Sequence, residues 1–172
     1  MHLLGLVINP IAGMGGRVGL KGTDDVVDEA ITRGAKPISG QRALEMLTSL
    51  KKAQNILNKA LPIKWVTVSG TMGAEILRKA GFSPDEYRVV YECGIKTTRE
   101  DTRKACSQFL KEGVELIVFC GGDGTARDVH DVVATSTPIL GIPSGVKMHS
   151  GVFGINPDSV AEVILAFLEG NL

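Results

Sequence analysis

The chain has 172 residues, of which 44% are apolar and 22% are charged, and this composition suits one globular domain of ordinary size. Nineteen Lys and Arg residues balance nineteen Asp and Glu residues, so the formal net charge is zero. A neutral chain argues against binding DNA or RNA through a broad basic surface, and no apolar run approaches the ~18 residues of a membrane span. We therefore expect neither a nucleic-acid partner nor a membrane partner.

Short apolar runs rich in Val and Ile alternate with helical patterns along the chain. In chain order the predicted elements are a strand at residues 3–8, helices at 24–33 and 41–60, a strand at 63–68, a helix at 71–80, a strand at 87–91, a helix at 98–111, a strand at 114–120, a helix at 128–135, a strand at 138–142 and a helix at 159–168. Strands and helices that alternate at this spacing form βαβ units. We expect an α/β fold, a three-layer βαβ sandwich whose mostly parallel sheet has about five or six strands, in a single domain over residues 1–172.

The three cysteines, Cys93, Cys106 and Cys120, lack the C-x-x-C spacing of redox and zinc sites. An odd number of cysteines also gives poor support for a disulfide framework. The N-terminus has no basic segment before its apolar run, unlike a secretion signal. We expect a cytoplasmic protein whose cysteines serve as small apolar residues.

Glycine is the one unusual residue type: 21 of 172 residues are glycine, about 12%, whereas ~7% is typical. The glycines cluster after the first, fourth and fifth predicted strands, at positions 13, 15, 16, 19 and 22, then 121, 122 and 124, then 145, 151 and 154. Ligands of parallel sheets bind beyond the carboxyl ends of the strands. The glycine clusters therefore predict a ligand site at that edge.

The strongest local signal is GGDGT at residues 121–125, directly after the fourth strand. Its glycines would let a ligand approach the backbone, and the amides that open the next helix could face phosphate oxygens. Asp123 would repel phosphate, but it suits a metal ligand or a group that takes a proton from an attacking hydroxyl. A tight turn with Asp123 as the helix N-cap explains the same residues equally well.

Two familiar phosphate-binding motifs are excluded. Neither glycine-rich stretch supplies the Lys-Ser/Thr pair of a Walker A loop, and Val18 stands where the dinucleotide fingerprint needs its last glycine. The loop after the first strand carries Arg17 and Lys21, which suits either a lid over phosphates or a surface loop. The length of this loop within a compact domain favours the functional interpretation, a lid over phosphates, over a plain surface loop.

Three long motifs in order resemble the ATP-NAD kinase and diacylglycerol kinase superfamily, and most closely the ATP-NAD kinase branch that includes the AcoX-like proteins. They are NPIAGMGGRVGLKGTD at residues 9–24, GGDGTARDV at 121–129 and GIPSGVKMHSGVFG at 141–154. TTREDT at residues 97–102 also fits that branch. The similarity extends over essentially the whole chain.

The resemblance implies transfer of a phosphoryl group from ATP, or from polyphosphate, to the 2′-hydroxyl of NAD, with Mg²⁺ present. It implies that Asp123 is the catalytic carboxylate. Residues implied to border the nucleotide are Asn9, Gly13, Gly15, Gly16, Gly121, Gly122, Gly124, Thr125, Ser144, Lys147 and His149. Two alternatives stay open: a lipid or sugar kinase of the same superfamily, and a non-catalytic AcoX-like module that binds a nucleotide.

Members of the family continue into a second, mostly β domain with an Asn-Glu motif, and nothing in this chain matches it. We expect the N-terminal domain of a longer protein, able to fold alone but inactive without the other wall of the cleft. Apolar surface meant for the second domain would be exposed and would favour homo-oligomers.

Overall fold

The computed structural model describes residues 1–14, 32, 34, 36–145 and 148–171. Its five strands are β1 (His2–Ile8), β2 (Ile63–Val68), β3 (Tyr87–Tyr91), β4 (Leu116–Gly121) and β5 (Ile139–Pro143). Its helices are α1 (Ser39–Leu57), α2 (Ala74–Lys79), α3 (Arg99–Glu112), α4 (Asp123–Val133) and α5 (Pro157–Leu168), and a 3-10 turn (Gly70–Met72) precedes α2.

The strands form one sheet in the order β3-β2-β1-β4-β5, and every neighbouring pair is parallel. The chain moves outward from β1 to β3 and then returns to place β4 on the other side of β1. This reversal is the topological switch point, where open α/β sheets bind their ligands. Because Ile8 pairs with Cys120, the residues that follow β1 and β4 emerge side by side.

Both faces of the sheet are covered, which explains the nearly continuous apolar strands. Leu4, Leu6 and Ile8 face a core built with α1, α2 and α5. The opposite core, which contains Val7 and Phe109, is built with α3 and α4. The predicted three-layer α/β fold with a parallel sheet is therefore confirmed.

Several predicted helix bounds differ from the structure. The helix predicted at 128–135 begins earlier, at Asp123, because Gly122 serves as an extended N-cap. The helix predicted at 71–80 is divided at Gly73 into the 3-10 turn and α2. The helix predicted at 24–33 lies outside the described residues except for Thr32.

The chain beyond β5 is anchored along the edge of the sheet. Gly141 donates its N–H to the carbonyl of Val152 at 2.8 Å and accepts from Gly154 N–H at 3.0 Å. The ring of Phe153 packs edge-on against Phe119, with 5.4 Å between ring centroids. These contacts hold residues 152–154 against β4 and β5, two residues beyond Ser150.

None of the helices in the described part of the chain has the length and apolar character needed to cross a membrane. The three cysteines are free thiols. Burial raises the pKa of Cys106 and of Cys120 to about 12, so both are inert apolar side chains at neutral pH.

Candidate active site

The carboxyl ends of β1, β4 and β5 bring most of the predicted site residues to one edge of the sheet. These are Asn9, Gly13, Gly121, Gly122, Asp123, Gly124, Thr125, Ser144 and His149. Gly15, Gly16 and Lys147 lie outside the described residues. Three loops therefore meet at the switch point between β1 and β4.

Asn9 connects the loop after β1 to the first turn of α4. Its side-chain amide donates to the hydroxyl of the buried Thr125 at 3.0 Å, and its carbonyl oxygen accepts from Ile11 N–H at 3.2 Å. Its own N–H donates to the carbonyl of Cys120 at 2.9 Å. Asn9 thus holds the two central loops at a fixed spacing.

Gly121 and Gly122 have different reasons to be glycine. A Cβ on Gly121 would lie 2.3 Å from the hydroxyl oxygen of Thr125, so packing alone excludes a side chain there. At Gly122, by contrast, a Cβ would meet no atom of the described chain within 4 Å, and the φ of −110° suits any residue. Neither packing nor backbone conformation in the described chain therefore requires glycine there. The described chain therefore leaves space above the N-terminus of α4, where amides without intrahelical acceptors can bind an anion.

Gly13 and Ser144 join the loops after β1 and β5. Gly13 has a φ of +79°, and a Cβ there would lie 1.9 Å from the carbonyl oxygen of Ser144. Ser144 N–H donates to the carbonyl of Gly121 at 3.1 Å. The Ser144 hydroxyl is buried and has no hydrogen-bond partner among the described residues.

Asp123 is the first residue of α4, and Gly122 is the N-cap, so the interpretation of Asp123 as N-cap is wrong. Its carboxylate instead accepts hydrogen bonds from the loop after β5. Oδ1 accepts from Ser150 Oγ at 2.7 Å, from Ser150 N–H at 3.1 Å and from His149 N–H at 3.3 Å. Oδ2 accepts from His149 N–H at 3.0 Å.

These donors stabilise the ionised form of Asp123. The hydrogen bond from the Ser150 hydroxyl is the largest cause of a lowered pKa at Asp123, partial desolvation opposes it, and the backbone hydrogen bonds from His149 and Ser150 add to the lowering. Its place in the first turn of a helix also favours the charged form. The site therefore presents a carboxylate, not a carboxylic acid, at neutral pH.

Two residues act differently from the sequence prediction. The side chain of His149 is exposed, and its backbone N–H, not its imidazole, contacts Asp123. Ser150 was not among the predicted site residues, although its hydroxyl makes the shortest contact to Asp123. Its signal in the sequence was only a second hydroxyl in the motif at 141–154.

A cluster of ion pairs around the buried Asp128 supports α4. Asp128, which is 7% exposed, accepts from Arg99 at 2.6 Å and from Arg103 at 3.1 Å. Arg103 also pairs with Asp131 at 2.6 Å. Because both arginines belong to α3, the cluster ties α3 to α4 and satisfies a carboxylate that would be costly to bury alone.

Within the described ranges, no group of three or more His, Cys, Asp and Glu side chains could hold a metal ion. Mg²⁺ in phosphoryl-transfer sites commonly uses one or two carboxylates together with substrate phosphates. At this edge Asp123 supplies one carboxylate, and three hydrogen bonds already fill its Oδ1. The described residues at this edge therefore supply one carboxylate for a Mg²⁺ ion, whose other ligands would come from substrate phosphates and water.

A parallel sheet, a reversal of strand order between β1 and β4, and glycine turns at that reversal define an α/β domain of the class that binds its ligands at the switch point. The family model of the ATP-NAD kinase N-terminal domain matches residues 4–172. The chain belongs to this family, whose substrates are ATP and NAD. Comparison with curated proteins and with solved structures finds no significant match.

Proposed function

We propose that this domain takes part in transferring a phosphoryl group from ATP, or from polyphosphate, to the 2′-hydroxyl of NAD. The observation that carries the proposal is the place of Asp123. Its ionised carboxylate lies at the switch point of the sheet, directly beside the open N-terminus of α4. The family match over residues 4–172 supports the same reaction.

The donor phosphates fit the turn into α4. The space above Gly122 would admit phosphate oxygens to the first-turn amides of the helix, which lack intrahelical acceptors. Asn9, Gly13 and Ser144 would form the adjoining wall. The Ser144 hydroxyl is buried and has no hydrogen-bond partner among the described residues, so it would be a donor for a ligand that reaches it. The charge of Asp123 would repel phosphate, so this side chain is assigned to the acceptor.

Asp123 would orient the acceptor hydroxyl for attack on the terminal phosphorus of the donor. The hydroxyl oxygen forms the new P–O bond, its proton passes to the carboxylate, and the bond to the leaving phosphate breaks. A carboxylate with a lowered pKa is a weak base. Its main contribution is therefore position, which matches a reaction in which the proton moves late.

We also propose that the chain belongs to the AcoX-like branch of the family. Its partners would be small-molecule nucleotides, and its location would be the cytoplasm. A second, mostly β domain would complete the cleft. The neutral charge of the chain favours a soluble acceptor over a membrane lipid. The alternatives are a lipid or sugar kinase and a module that binds nucleotide without transferring phosphate.

The test is a phosphoryl-transfer assay of the full-length protein with ATP or polyphosphate as donor. NAD, NADH, a diacylglycerol and a panel of sugars serve as acceptors. We expect formation of NADP from NAD. Phosphorylation of a sugar or lipid instead would assign the domain to another branch, and nucleotide binding without transfer to any acceptor would identify a binding module.

Substitution of Gly122 by Ala should separate binding from folding. The new methyl group meets open space at a φ of −110°, so unfolding free energy should fall by less than about 1 kcal/mol, the cost of Ala at an N-cap. If phosphate occupies that space, the Kd for nucleotide should rise about tenfold or more. Calorimetric titration measures the affinity.

Gly94→Ala is the matched control, because the nearest atom to its Cβ position is the Lys96 carbonyl oxygen at 4.0 Å. It adds the same methyl group in the loop after β3, beyond the described site. An unchanged nucleotide affinity in Gly122→Ala would show that the turn into α4 does not contact phosphate.

A further inference from the structure

Ser150 contributes two of the hydrogen bonds that hold Asp123, one from its hydroxyl and one from its N–H, and both end on Oδ1. Oδ2 accepts only the His149 N–H among the described groups. An ionised carboxylate oxygen can accept two hydrogen bonds. The arrangement therefore fills one oxygen of Asp123 and leaves an acceptor position on the other.

Ser150 is held by an anchored stretch of chain. Two residues further on, the carbonyl of Val152 accepts from Gly141 in β5, and Phe153 packs on Phe119 of β4. Backbone and ring contacts to the sheet restrict where Ser150 can lie. A side chain supported in this way can fix the orientation of a neighbour, as the supporting residues of a catalytic site must.

We infer that Ser150 is a positioning residue for phosphoryl transfer: it fixes the rotation of the Asp123 carboxylate so that Oδ2 faces the acceptor hydroxyl. This inference rests on the proposed function. Ser150 acts through Asp123, at a hydroxyl-to-carboxylate distance of 2.7 Å, and is assigned no contact with substrate. The same hydrogen bond lowers the pKa of Asp123 by stabilising its ionised form.

Ser150→Ala in the full-length protein tests the role. The backbone donors remain and only the hydroxyl is lost, so kcat should fall about 10- to 100-fold, the range expected for a hydrogen bond to a charged group. The KM for NAD should stay within about twofold, because no substrate contact is removed. The acidic limb of the pH profile should move to higher pH, because the ionised form loses a donor.

Two comparison variants make the result specific. Ser150→Thr keeps a hydroxyl and should restore most of kcat. Ser49→Ala removes another serine-to-aspartate hydrogen bond, from Ser49 Oγ to Asp158 at 2.6 Å between α1 and α5, and should leave kcat and the pH profile unchanged. Thermal unfolding of each variant confirms that it is folded.

A double-mutant cycle shows whether Ser150 acts through Asp123. Adding Ser150→Ala to Asp123→Asn should lower kcat no further than Asp123→Asn alone. A further fall in that background, or a wild-type kcat and pH profile in Ser150→Ala, would overturn the inference. Absence of NAD phosphorylation in the wild-type protein would instead overturn the proposed function on which it rests.

Discussion

Replacement of Asp123 by Asn is expected to reduce turnover about 10²- to 10⁴-fold, because the neutral amide holds the acceptor hydroxyl less well than the carboxylate and cannot receive its proton. The amide has almost the same size as the carboxylate, but its nitrogen cannot accept a proton. It would also place a donor opposite the His149 N–H, which now donates to Oδ2 at 3.0 Å. Steady-state kinetics with ATP and NAD measure the loss.

Folding should survive this change with a modest loss of stability. The lost charged hydrogen bonds are each worth about 1 to 3 kcal/mol, but the amide oxygen can still accept from Ser150. Asp158→Asn is the matched control, because Asp158 also lies in the first turn of a helix and also accepts from a serine hydroxyl. Near-native turnover in Asp123→Asn would remove Asp123 from the reaction.

The sheet could be predicted because its signals are local. The bounds of β2 and β3 coincide with the predicted strands at 63–68 and 87–91, where short runs rich in β-branched and aromatic residues lie between turn or charged residues. The start of α4 could not be read in the same way. Glycines on either side of Asp123 favour a turn by propensity, whereas the structure uses Gly122 as N-cap and Asp123 as a first-turn carboxylate.

The location of the candidate site could be predicted from the sequence, but most of the contacts within it could not. Asn9, Asp123 and Ser144 could be placed at one edge because parallel strands end on the same side. The contacts of Asp123 with His149 and Ser150 join residues 26 and 27 positions apart, and no local pattern encodes them. They depend on the way the segment after β5 returns along the sheet edge.

The close approach of Gly13 to Ser144 likewise could not be predicted from the sequence, which shows only that the loop after β1 is rich in glycine. In the structure Gly13 combines a φ of +79° with a Cβ position 1.9 Å from the Ser144 carbonyl oxygen. Both features act against any side chain at this position, and the second involves backbone that cannot rotate away. A side chain at Gly13 should therefore disturb the contact between the loops after β1 and β5.

Gly13→Ala should lower the unfolding free energy by about 2 to 5 kcal/mol, with about 1 to 2 kcal/mol from the left-handed φ and about 1 to 3 kcal/mol from forced displacement of the Ser144 carbonyl. Gly81→Ala is the matched control: Gly81 has a φ of +86° and no described atom within 4 Å of its Cβ position. It should lose only the conformational part, about 1 to 2 kcal/mol. Urea unfolding followed by the fluorescence of Trp65, the single and fully buried tryptophan, measures both. Equal losses in the two variants would show that the loops after β1 and β5 do not pack against each other at Gly13, and the wall assigned to the nucleotide would then lose its support.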